Sequence, residues 1–103
     1  MSKNIIRLYD PLFLADVRLR IGKGSGLYGC YVKRVVKDGD VRYVVSMEHR
    51  EDFYSLLHEC LHLVRCIFVD RNIPFTVDND EAIAYYQVWW FKKLWRRCHK
   101  GKK

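Results

Sequence analysis

The residues with the clearest capacity for chemistry are His58-Glu59-Cys60-Leu61-His62. They form an H-E-x-x-H pattern inside a stretch whose apolar residues repeat at helical spacing. On a helix, side chains four residues apart lie one turn above the other on the same face, so both imidazoles can reach one ion. Glu59 neighbours His58 and cannot easily ligate the same ion alongside both histidines. Beside a water bound to that ion it would instead serve as general base. A zinc site that catalyses hydrolysis needs a third protein ligand and one open position. Glu81, nineteen residues after His62, is the leading donor. It opens a second helical stretch, and the connection over 72–79 is long enough to fold that helix back on the first. A local explanation competes: Asp78-Asn79-Asp80-Glu81 fits a capping box, with Asp78 at the cap and Glu81 reaching back. Asp78, Asp80 and Cys66 are the other donors within reach. Cys66 lies one turn beyond His62, where three successive turns splay away from a common point.

The elements that must position these groups follow from periodicity. Residues 4–9 predict a first strand, ended by Asp10-Pro11. Residues 12–21 predict a second, since Val17, Leu19 and Ile21 alternate with Arg18 and Arg20 and so imply a sheet with one wet face. Gly22-Lys23-Gly24-Ser25-Gly26 is a loop without the spacing of a phosphate cradle. Residues 28–37 and 41–48 predict a hairpin around Lys37-Asp38-Gly39-Asp40, where Asp-Gly stands between β-branched runs. From Arg50 the period changes. Phe53, Leu56, Leu57, Cys60, Leu61, Val64, Ile67 and Phe68 predict a helix over about 50–70, with Glu51 and Asp52 in its first turn. The histidines then lie beside the apolar stripe, half-buried. Asn72 and Pro74 stop that helix. A second helix is expected over about 80–98, burying Ile83, Tyr86, Trp90, Phe91 and Leu94. The fold class is therefore α+β: a short antiparallel N-terminal sheet, then a helix carrying the histidines and a helix carrying Glu81. The domain spans 1–98, with 99–103 a basic tail.

Composition narrows the function classes. A chain of 103 residues, half of them hydrophobic, supports one small core. The net charge of +7 suggests nucleic acid until its position is considered. Residues 92–103 hold seven basic residues and no acidic one, which leaves twelve of each sign in the rest of the chain. Cations at the end of a helix suit its dipole, so the charge argues against nucleic acid as the main partner. Cys30, Cys60, Cys66 and Cys98 have no framework spacing. Lys3 and Arg7 interrupt the early apolar run, and no stretch approaches the roughly 18 apolar residues of a membrane span. The expectation is a reduced, intracellular, cytoplasmic protein. Tyr85, Tyr86, Trp89, Trp90, Phe91 and Trp95 crowd one helix, more than a small core can take. The excess marks a partner surface, with a homodimer the simplest case. A membrane-surface anchor or a stacking edge for single-stranded nucleic acid are alternatives. His49 and His99 belong to no motif.

His58-Glu59-x-x-His62 followed by Glu81 resembles the gluzincin branch of zinc metallopeptidases. Asp80-Glu81-Ala82-Ile83-Ala84-Tyr85 is similar to the glutamate helix of its smallest members, the minigluzincins. Leu57-His58-Glu59-Cys60-Leu61-His62 and Ile6-Arg7-Leu8-Tyr9-Asp10-Pro11 resemble small zincins encoded by bacteriophages. The resemblance covers residues 40–90 well and the N-terminal part loosely. It implies Zn2+ on His58, His62 and Glu81, with Glu59 as base and a peptide or protein as substrate. It also implies a sheet strand beside the cleft that pairs with the extended peptide, for which residues 41–48 are the candidate. For a phage protein the compartment would be the host cytoplasm. Larger gluzincins carry Glu-x-x-x-Asp where this chain has Glu81-x-x-x-Tyr85. The Tyr85 hydroxyl is thus a candidate to orient a zinc histidine or to stabilise an oxyanion. The expectation is zinc-dependent peptide-bond hydrolysis. Two alternatives stand beside it: a zincin-fold binding protein without catalysis, acting on a host protein, and a nucleic-acid-binding accessory protein.

Overall fold

A computed structural model describes residues 4–22 and 30–99. Four strands, β1 (Asn4–Asp10), β2 (Ala15–Ile21), β3 (Cys30–Lys37) and β4 (Asp40–Met47), precede two helices, α1 (Phe53–Asp70) and α2 (Asp80–His99). A short 3-10 turn, Val77–Asn79, leads into α2. The α+β class is as expected. Most of the glycine loop, residues 23–29, and the tail residues 100–103 lie outside the described residues.

The sheet order is β1-β2-β4-β3. β1 pairs antiparallel with β2, and β3 with β4, but β2 and β4 run parallel, with Val17 opposite Tyr43 and Ile21 opposite Met47. The sheet is thus mixed rather than antiparallel throughout. Composition explains which strand of the second hairpin went inside. β4 sends Tyr43, Val45 and Met47 into the core, whereas β3 carries Lys33, Arg34 and Lys37, which suit an edge. One consequence corrects the expectation for residues 41–48: Tyr43 to Met47 are paired on both sides, so this strand offers no free edge to a peptide. Among the described residues the open edges belong to β1 and β3.

Turn chemistry sets the element ends. Asp38 (φ 53) and Gly39 (φ 83) both take positive φ, and Lys37 pairs with Asp40, as a two-residue I′ hairpin requires. The second strand begins at Ala15 rather than at residue 12. The Asp10 carboxylate accepts the Leu12 N–H at 2.9 Å and the Phe13 N–H at 3.3 Å, closing a turn that ends on Leu14 with φ 55. The Arg71 guanidinium clasps this turn through the carbonyls of Phe13 (2.6 Å) and Leu14 (2.7 Å).

α1 starts at Phe53, with Asp52 as its cap accepting the Ser55 N–H, so Glu51 and Asp52 precede the first turn instead of occupying it. It ends in a Schellman motif. Asn72 sits at φ 57, its N–H donates to the Val69 carbonyl, and the Ile73 N–H donates to the Phe68 carbonyl. α1 packs on β3, β4 and α2. Its buried residues are Leu56, Cys60, Leu63, Val64, Ile67 and Phe68. Leu63 joins the core, while Phe53 and Leu61, expected inside, are exposed at 40% and 39%.

α2 doubles back over α1. Phe53 meets the rings of Phe91 and Trp95, and Gln87 donates to the Leu57 carbonyl. Ile83, Tyr86, Trp90, Leu94 and Cys98 face the core. The Tyr86 hydroxyl donates to the buried Asp10 carboxylate, linking the last helix to the first strand. Burial raises the Tyr86 pKa, and the bond to Asp10 raises it further. Burial likewise pushes the Cys98 thiol, beside the Met47 sulfur, up to about 11.

A second polar link joins α1 to the sheet edge. Arg34 Nε donates to both carboxylate oxygens of Asp70, at 3.0 and 2.8 Å, and the Tyr43 hydroxyl donates to Asp70 at 2.6 Å. A carboxylate at a helix C-terminus is disfavoured by the dipole. The hydrogen bond from Arg34, reinforced by Tyr43, nevertheless holds the Asp70 carboxyl below the usual range. An acid whose folded pKa is depressed adds stability above its unfolded value and loses it as pH falls through the folded value. Asp70→Asn should therefore lower stability at neutral pH. The gap from wild type should close as pH falls below about 3.9, the ordinary Asp value. Urea midpoints taken from neutral pH into the acid range read this out.

Candidate metal centre

The motif lies mid-helix on α1, and the helix brings the two imidazoles together as its spacing predicts. His58 Nε2 and His62 Nε2 are 3.2 Å apart, with ring centroids separated by 4.9 Å and planes inclined at 71°. The Glu59 carboxylate stands 4.0 Å from His58 Nε2. Donor atoms of His58, Glu59 and His62 all lie within 4.8 Å of one another, and the group could hold a metal ion.

The histidine pair passes a simple test of fit. Two nitrogens on one tetrahedral ion, each at about 2.0–2.1 Å, stand roughly 3.3–3.4 Å apart. The observed 3.2 Å is close to that. The same distance admits an imidazole–imidazole hydrogen bond when one ring presents N–H and the other a lone pair. A proton or a metal can therefore bridge the pair. Glu59 is too far from His58 Nε2 for a hydrogen bond, and its side chain is only 16% exposed. It is the most sheltered of the three groups, which limits the positions its carboxylate can take.

The setting of the pair differs from expectation. Cys60 is fully buried, and the histidines lie two residues to either side of it. At 3.6 residues per turn each stands about 160° around the helix from Cys60, so the two straddle the outward pole. Both are exposed, His58 to 69% of its side chain. They are not half-buried beside the apolar stripe. His62 borders a groove, shared with Arg34, Arg65, Cys66, Val69 and Asp70.

Glu81 is exposed in the first turn of α2 and does not join the cluster. It precedes the fully buried Trp90 by nine residues, about two and a half helical turns, and so points to the side of α2 opposite the core. The capping box does not form among the described residues either. The 3-10 turn ahead of α2 has no side-chain cap, and Asn79 donates instead to the Pro74 carbonyl at 2.6 Å. Tyr85, 73% exposed, lies on another flank of α2, where it lines a cavity of about 480 Å3 with Leu12, Phe13 and Trp89. Asp78 and Asp80 are likewise outside the cluster, as is Cys66, whose thiol is raised by burial and then by Asp70.

Sequence reasoning missed Asp10, Arg34, Tyr43 and Asp70 as positioning residues. Arg34 and Asp70 lie 36 positions apart, Asp10 and Tyr86 lie 76 apart, and no local pattern marks either pair. No helix among the described residues is long and apolar enough to cross a membrane. No family model, curated protein or solved structure matches the chain.

His58→Ala or His62→Ala should each weaken binding of a divalent metal by more than the roughly 10–100-fold typical of losing an outer-shell partner. Calorimetric titration of metal-free protein measures it, and a one-to-one stoichiometry is expected for wild type.

Proposed function

We propose that this chain is a zinc-dependent hydrolase of peptide bonds, with His58 and His62 as ligands and Glu59 as general base. The observation that carries the reading is the convergence of the two Nε2 atoms at 3.2 Å beside a sheltered carboxylate. Zinc held by His58 and His62 would supply a Lewis acid and lower the pKa of a bound water to about 7. Glu59 would accept the proton of the attacking water and deliver it to the departing amine nitrogen. The rigidity of mid-helix backbone on either side keeps the base and the histidines in register. The gluzincin resemblance alone would add Glu81 as third ligand; it stands outside the His58–Glu59–His62 cluster, which makes it the residue to test. The free edge of β3 replaces residues 41–48 as the strand along which an extended peptide would lie. The resemblance to phage zincins extends the proposal to a protein acting in a host cytoplasm. The exposed Tyr85, Val88 and Trp89 support α2 as a contact surface for a second copy.

A second reading rests on the exposure of the pair. An ion on the outward pole of α1 is open to a donor from another molecule, which favours a zincin-like binding protein without catalysis. One experiment separates the two. In the hydrolase, Glu59→Gln keeps zinc and loses activity on a peptide library by about 10²–10⁴-fold, the usual weight of a general base. In the binding protein, wild type cleaves nothing and Glu59→Gln leaves partner capture intact. Glu81→Gln should weaken zinc binding if Glu81 ligates, and unchanged zinc affinity would remove it from the ligand set.

A further inference from the structure

The groove between α1 and the edge strand β3 opens directly beside His62. It encloses about 380 Å3. Its charge is uneven, since the guanidiniums of Arg34 and Arg65 face the single carboxylate of Asp70. One positive charge is left over, without counting His62. Arg34 is anchored at its inner end only: Nε donates to both oxygens of Asp70, and Asp70 is in turn fixed by the Tyr43 hydroxyl. The terminal nitrogens of Arg34 make no hydrogen bond among the described residues, and neither does the exposed guanidinium of Arg65. A guanidinium held by Nε with its outer nitrogens unused presents a planar donor set that suits a carboxylate.

Resting on the hydrolase reading above, we infer that this groove is the subsite for an acidic side chain of the peptide substrate. Arg65 and the outer nitrogens of Arg34 are its donors. The geometry also sets the distance from the cleaved bond. Along α1, Arg65 lies about 4.5 Å and Asp70 about 12 Å beyond His62 at 1.5 Å per residue. An extended peptide advances about 3.3–3.6 Å per residue. The acidic residue therefore falls about one to three positions from the bond held at the histidines. β3, which carries Arg34, has its outer edge unpaired among the described residues and can align such a peptide.

The test uses zinc-loaded Glu59→Gln protein and pairs of fluorescent peptides that differ only by Glu or Gln at one position. The Glu peptide should bind about tenfold more tightly, the scale of a charge-assisted hydrogen bond. Arg65→Gln should shrink that preference, and Arg65→Glu should turn it toward a Lys peptide. Arg65 is exposed, so both variants should fold, which circular dichroism checks. Equal affinity for the Glu and Gln peptides, or a preference untouched by Arg65→Glu, overturns the inference. Hydrolysis is scored separately on wild type. Cleavage with no acidic residue within about three positions of the cut overturns the subsite and leaves the hydrolase standing. Selective binding of the Glu peptide without any cleavage supports the subsite and removes the hydrolase.

Discussion

The rotational setting of α1 on the sheet governs what the site can be. Leu56, Cys60, Leu63 and Ile67 are fully buried, and turning the helix by one residue would swing each of them through about 100°. Close-packed interiors do not tolerate such a slip. The ends reinforce the setting, with Asp52 capping one and the Schellman motif and the Arg34–Asp70–Tyr43 link holding the other. Because the core claims one side of Cys60, the histidines are committed to the opposite side. The imidazoles gain convergence from the helix and openness from its phase. The groove wall beside His62 comes from β3 and the C-terminal half of α1, not from α2.

Much of this was legible in the sequence, and the failures have physical reasons. The Asp38-Gly39 turn and the change from two-residue to helical periodicity after the sheet gave the strands and both helices, because those signals are local. Strand order is not local. Only the comparison of a cationic β3 with an apolar β4 explains why β4 lies inside and parallel to β2. Spacing alone admits Leu61 to the apolar stripe of α1 and omits Leu63, since several leucines in one segment leave the centre of the stripe undetermined until a sheet selects it. The same gap affects Glu81. Chain spacing shows that the connection can bring α2 back to α1, which it does, but not which way a given residue of α2 then faces. The His58–His62 pair was legible because both members ride on one helix.

The aromatic crowding of α2 resolves into distinct faces. Tyr86 and Trp90 enter the core. Phe91 and Trp95 stack with each other and close on Phe53 at the start of α1. Tyr85 and Trp89 are left on the flank that meets the β1–β2 turn, with the Lys93 ammonium 5.0 Å above the Trp89 ring. That cation–π contact covers one face of the most exposed tryptophan, and it uses one of the positive charges that make the chain's C-terminal part so basic.

The bond between Asp10 and Tyr86 spans 76 positions and joins the first strand to the last helix. During synthesis the N-terminal part of a chain emerges first. Asp10 therefore emerges long before the phenol that completes its burial. A chain halted anywhere before Tyr86 would leave that charge beneath an unfilled aromatic roof, with Phe13 uncovered beside it. The unfinished protein is thereby marked as unfinished: completion of the last helix, rather than formation of the sheet, is the event that seals the molecule.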